Sequence, residues 1–221
     1  YLEKLSQSQS LVFQPVDLQK YKRAGKSYLG YPNAQIGDIS VQGEIAKWLY
    51  SALSSNPSLD IEAYEQLLYE MIRPGGSYHG YIESYGKKFV YNKLVEQLSI
   101  DTHPIERVDD HLVGFIPYLV CKELKLPLDK AWALAQVFTS DKTYQQFYIL
   151  FDSLIEHLKS MSMKHALKQI ASRGPKDFLD DLDNAIEMSD TKSFIMNHSG
   201  TDCHIHHSIP LIFHILSHTS S

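Results

Sequence analysis

The stretch Gly37–Gly76, GDISVQGEIAKWLYSALSSNPSLDIEAYEQLLYEMIRPGG, decides the fold class. Val41, Ile45, Trp48 and Leu49 recur at the spacing that lines one face of a 3.6-residue helix. Asp38 or Ser40 can cap its start, and Asn56-Pro57 stops it. Ser58-Leu-Asp-Ile-Glu opens a second helix with Ile61, Tyr64, Leu67, Leu68 and Met71 facing inward. Arg73-Pro74-Gly75-Gly76 forbids its continuation, because proline lacks the N–H and the preceding residue is pushed out of the helical region.

Outward from this pair the period persists. SYHGYIESYGKKFVYNKL is a glycine-broken loop running into a helix with Phe89, Val90, Leu94 and Leu98 as core positions. Further helices are expected at about 110–124, 128–139, 143–159, 163–171, 176–188, 191–197 and 208–218, with Pro127 ending one and Asp129 capping the next. Before Gly30 and Tyr31 neither period is sustained, and only a short helix near Leu2 to Leu5 is expected. No segment alternates with period two. The expected architecture is all-α, one compact multi-helix domain over residues 1–221.

Composition narrows the function classes. Hydrophobic content of 43% and charged content of 21% fit a globular domain rather than a disordered chain. No run approaches the roughly 18 uninterrupted apolar residues of a membrane span, so no membrane partner is expected. The net charge of -5 argues against the broad basic surface that nucleic acid requires. Cys121 and Cys203 are too few for a disulfide framework, and no signal peptide opens the sequence, so a reducing, cytoplasmic setting is expected. The chain opens on Tyr1 rather than methionine and reads as a fragment or a processed product.

Four places concentrate reactive groups. Asp38, after YPNAQ and Gly37, is an oxygen ligand for Mg²⁺ or Ca²⁺ and equally an ordinary N-cap. The loop Pro74-Gly-Gly-Ser-Tyr-His-Gly-Tyr offers backbone N–H groups unshielded by side chains, with Tyr78, His79 and Tyr81 beside them. It suits a phosphate and an aromatic base, and it also suits a plain helix-to-helix turn. Asp109, Asp110 and His111 form a candidate acid/base group at another helix start, although consecutive carboxylates point apart on a helix and serve capping as well. Six of the eleven histidines fall in the last stretch, at positions 198, 204, 206, 207, 214 and 218. His207, Leu211, His214 and His218 share one stripe beside the apolar face Ile209, Ile212, Phe213 and Leu216. That stripe reads as a polar helix edge, a pocket edge or a Zn²⁺ site with Cys203. Cys121 lies in an apolar run and reads as core.

In order along the chain, several segments resemble the ADP-ribosylglycohydrolase family, in the branch that holds jellyfish J-class lens crystallins and selenoprotein J. They are LEKL, YPNAQIGDISVQGEIAKWLYSAL, RPGGSYHGYIESYGKK, VDDHLVGFIPYLVCKEL, ALAQVFTSDKTYQQFYILFDSLIEHL and SGTDCHIHHSIPLIFHILSHTSS. The resemblance implies an all-α fold and Mg²⁺-dependent hydrolysis of ADP-ribosyl glycosidic bonds, with ADP-ribose or an ADP-ribosylated substrate as partner. It assigns catalytic and metal roles to Asp38, catalytic roles to Asp109 and Asp110, and substrate binding to Ser77, Tyr78, His79, Gly80 and Tyr81. Active members draw further carboxylates from an N-terminal helix and a C-terminal Gly-Gly-Asp-Thr-Asp loop, which have no counterparts here. Thr139-Ser140 also stands where active members carry Thr-His. Hydrolysis is therefore expected to be impaired, since one aspartate cannot organise two Mg²⁺ ions. The alternatives are a non-catalytic structural or binding protein of the crystallin type, and a metal buffer built on the C-terminal histidines.

Overall fold

The computed structural model describes residues 39–107, 111–200 and 202–219. Among them there are ten α-helices and no strand. They are α1 (Val41–Ser55), α2 (Ile61–Ile72), α3 (Ser84–Gln97), α4 (Phe115–Glu123), α5 (Leu128–Ala135), α6 (Thr143–His157), α7 (Met163–Ala171), α8 (Leu179–Glu187), α9 (Thr191–Phe194) and α10 (Ile205–His218). A 3₁₀ turn, Lys176–Phe178, leads into α8, and a π-helical turn, Ile195–Ser199, follows α9.

Local chemistry sets the boundaries. Ser40 caps α1 by accepting from the Gly43 N–H, and Asp60 caps α2 by accepting from the Ala63 N–H, each satisfying an N–H that the first turn leaves without a helical partner. Asp190 caps α9 through the Lys192 and Ser193 N–H groups. Three expected boundaries are corrected. The helix expected from about residue 110 starts at Phe115, because His111 and Leu112 are left-handed, with φ of 64° and 55°. Pro127 occupies the capping position of α5, and Asp129 sits inside its first turn. The last helix starts at Ile205 rather than Ser208, with His204 as its cap. Leu98, expected in the core, is 65% exposed: α3 ends there, and the left-handed Ser99 turns the chain away.

The core runs through all these helices. α1 packs on α4, α4 on α5, and α2 on both α3 and α5, while α10 packs on α7 and α8. Val41, Ile45, Leu49 and Leu53 make the buried stripe of α1, at the period the sequence shows. An aromatic seam ties α4, α6 and the 3₁₀ turn before α8 together. Phe115 meets Tyr144 at 5.0 Å and Tyr148 at 5.6 Å, Tyr118 stacks on Tyr148 at 4.9 Å, and Phe147 meets Phe178 edge-on at 4.9 Å. Gly114 lets α4 approach that seam, since a Cβ there would stand 2.6 Å from the Tyr144 ring. The Tyr148 hydroxyl donates to the Gly114 carbonyl at 2.5 Å.

Candidate functional site

The turn between α2 and α3 depends on its glycines. Gly75 takes φ of 77°, where a side chain is strained. A Cβ on Gly76 would lie 2.5 Å from the Met71 carbonyl oxygen, and one on Gly80 would lie 2.3 Å from the Tyr78 hydroxyl. The Gly76 N–H donates to the Arg73 carbonyl and the Tyr78 N–H to the Met71 carbonyl, so two of the loop's donors close the turn and leave fewer for a ligand. The Ser77 hydroxyl donates to the Met71 sulfur at 2.9 Å. Tyr78 is partly buried with its ring edge-on to Trp48 of α1 at 6.0 Å, and its hydroxyl donates to the Tyr81 carbonyl at 3.2 Å. It therefore braces the loop against α1.

The loop lines a concavity of about 470 Å³ between the end of α2 and the outer face of α3. Tyr78, His79 and Gly80 line it; Ser77 and Tyr81, the other two of the five expected binding residues, do not. Three residues that the sequence reading missed join them: Arg73, Lys87 and Tyr91. Arg73 is held by Glu70 at 2.8 Å, and the Lys87 ammonium lies 4.6 Å from the centre of the Tyr81 ring. Tyr91 is 42% exposed and supplies a flat apolar face. Lys87, Tyr91 and Leu94 stand at i, i+4 and i+7, a stripe legible in the sequence had the loop been placed against α3. Two cations, an aromatic face and side-chain-free backbone can together receive a phosphate-bearing ring compound.

Asp38, Asp109 and Asp110 lie outside the described residues. The described residues nearest to them in sequence, Ile39, Arg107 and His111, do not line the glycine-loop concavity. Arg107 lines one between α3 and the 104–107 segment, while Gln42 and His111 line an apolar groove over α4, α6 and α10. Glu83, just after the glycine loop, nevertheless comes 3.6 Å from His111 Nε2, and the Tyr85 ring lies 6.0 Å from the imidazole. The His111 N–H donates to the Cys203 carbonyl at 3.0 Å. The start of α3, the 111–114 turn and the 202–204 loop thus meet at one corner, and nothing in sequence spacing announces Glu83 or Cys203 there.

The C-terminal histidines are mostly packing groups. His214 is buried; its Nδ1–H donates to the Ala185 carbonyl at 2.9 Å, which leaves Nε2 to accept from the Thr191 hydroxyl, also at 2.9 Å. Its ring stacks on Phe194 at 4.6 Å. Both nitrogens are used, so the pocket-edge and Zn²⁺ readings of His214 are corrected to a satisfied core histidine. His218 Nδ1 lies 2.9 Å from the His214 carbonyl, His206 stacks on Phe178 at 4.4 Å, and His198 pairs with Asp181 at 3.2 Å. Asp202 accepts from the His204 N–H at 3.0 Å and meets His207 Nδ1 at 2.6 Å. The His204 N–H first, and then the His207 ring, hold its carboxyl below the usual range. Cys121 is fully buried, which pushes its thiol up to about 11 although Lys130 acts against the shift.

Among the described residues no three His, Cys, Asp or Glu side chains gather as a metal ion requires. These residues alone do not fit a binuclear Mg²⁺ cage, and no reaction step is derived through one. Nor is any helix among them long and apolar enough to cross a membrane. Compared with known protein families, curated proteins and solved structures, the chain matches none.

Proposed function

We propose that this chain is an ADP-ribosylglycohydrolase-like domain that binds ADP-ribose at the glycine-loop concavity, with hydrolysis impaired. The observation that carries the reading is the convergence of the Gly75–Gly80 backbone, Arg73, Lys87 and Tyr91 on one concavity of about 470 Å³, a size ordinary for small-molecule sites. The diphosphate lies against the loop and the two cations. The adenine stacks on Tyr91, a contact worth about 1–3 kcal/mol by analogy with other base stacking. Tyr78 holds the loop's shape rather than touching the base. Mg²⁺, which Asp38 would attract by family resemblance, would orient the ribose and supply a bound water, and the binding argued from the loop needs neither.

Calorimetry with ADP-ribose in EDTA tests the reading. The expected result is saturable binding that the double variant Arg73→Ala/Lys87→Ala weakens at least tenfold. Absence of binding would leave the crystallin-type reading in its place. The chain is also expected not to release ADP-ribose from modified protein with Mg²⁺; turnover lost in EDTA and in Asp38→Ala would overturn that part.

A further inference from the structure

A second concavity, of about 560 Å³, lies between α3 and the segment Pro104–Arg107. The segment is clamped: Asn92 on α3 donates its amide to the Ile105 carbonyl and accepts the Ile105 N–H, both at 2.8 Å. Arg107 is fixed from behind by the Gln136 carbonyl at 2.5 Å and by Glu65 at 3.5 Å. Such a wall is rigid before any ligand arrives, the condition under which polar groups bind selectively.

The charges at this wall are unevenly matched. Glu65, only 12% exposed, serves both Lys93 at 2.5 Å and Arg107 at 3.5 Å. Lys93 is further satisfied by Glu96 at 3.2 Å; its burial works against the charged form, and the two carboxylates outweigh it and raise its pKa. Among the described residues Arg107 is left sharing one carboxylate with Lys93, and its side chain is 42% exposed. The preceding residue, Glu106, lines the same concavity and has no ion-pair partner among the described residues. Among the described residues an under-matched cation and an anion without an ion pair thus stand side by side, over a floor made by Phe89, Val95, Pro104 and Ile105.

We propose that this concavity binds a small zwitterion with an apolar body, a free apolar α-amino acid in chemical class, its carboxylate on Arg107 and its ammonium on Glu106. A simple anion would meet the uncompensated Glu106, and a simple cation would meet Arg107. Only a ligand carrying both charges close together satisfies both, while its side chain covers Phe89 and Ile105. This site shares no residue with the glycine-loop concavity and does not rest on the reading given for it.

The full chain is titrated calorimetrically with L-phenylalanine, with 3-phenylpropanoate, which lacks the ammonium, and with phenethylamine, which lacks the carboxylate. L-phenylalanine is expected to bind saturably and each analogue at least ~10-fold more weakly, since one charge-assisted hydrogen bond discriminates by about that factor. Glu106→Gln is expected to weaken L-phenylalanine at least ~10-fold and, because it removes the carboxylate that a simple anion meets, to leave 3-phenylpropanoate bound no more weakly than before. Arg107→Gln should do the same with phenethylamine as the reference. Should Arg107→Gln unfold, Glu106→Gln, whose side chain has no ion pair to lose among the described residues, and the analogue series in the unaltered chain still decide. Equal affinity for all three compounds, no saturable binding of L-phenylalanine, or no effect of Glu106→Gln would each overturn the proposal.

Discussion

The C-terminal helix and the glycine turn make opposite use of their polar groups. At α10 the imidazoles look reactive in the sequence, yet His214 spends both nitrogens on Ala185 and Thr191 and its ring on Phe194. At the 74–80 turn the residues look like punctuation, yet the chain there bends so that Arg73, Lys87 and Tyr91 face one hollow. The lesson is one of satisfaction. A buried polar group with every partner supplied internally has nothing left for a ligand, whereas partly exposed cations beside bare backbone do.

This contrast can be broken most forcefully from the packing side. Phe194→Ala removes the ring on which His214 and His198 stack and should cost about 3–5 kcal/mol, read by urea denaturation, without altering the affinity for ADP-ribose. His214→Ala leaves the Ala185 carbonyl and the Thr191 hydroxyl short of a partner and should cost about 1–3 kcal/mol by the same assay, again with binding intact. A loss of ligand affinity in either variant at unchanged fold would place α10 in the site and erase the distinction.

From the other side, Tyr91→Ala is expected to leave the melting temperature nearly unchanged, because the side chain is 42% exposed, while weakening ADP-ribose by about 1–3 kcal/mol in calorimetry. The thiols sharpen the comparison further: exposed Cys203 should react with a thiol reagent at pH 8 far faster than buried Cys121, whose thiol burial pushes up to about 11. The smallest effect concerns Asp202. Its folded value is depressed, so its contribution to stability is present above its unfolded value, near pH 4, and is lost as pH falls through the folded value. Asp202→Asn should remove only that acid-side step from a pH series of denaturation midpoints.

Much of the fold was legible because it rests on local rules. The buried stripe of α1, the Ser40 and Asp60 caps and the stop at Arg73-Pro74 all follow from residues within a turn or two. The late start of α4 was not legible, since two consecutive left-handed residues without glycine are imposed by contacts with distant segments, Cys203 among them. The candidate site was half legible. Glycines announce a turn, and their necessity shows in the Met71 carbonyl that a Gly76 side chain would strike. The cations that complete the hollow come from the C-cap of α2 and from α3, and only their packing reveals which face of α3 meets the loop. The histidine stripe misled because spacing shows which residues share a face and not what lies opposite.

The most direct test of the central claim is a backbone amide NMR titration of the labelled chain with ADP-ribose in EDTA. The account predicts saturating shifts at Gly75, Gly80, Lys87 and Tyr91, with the amides of His204 to His218 unmoved. Shifts confined to His204–His218, or none at any of these residues at millimolar ligand, would contradict it.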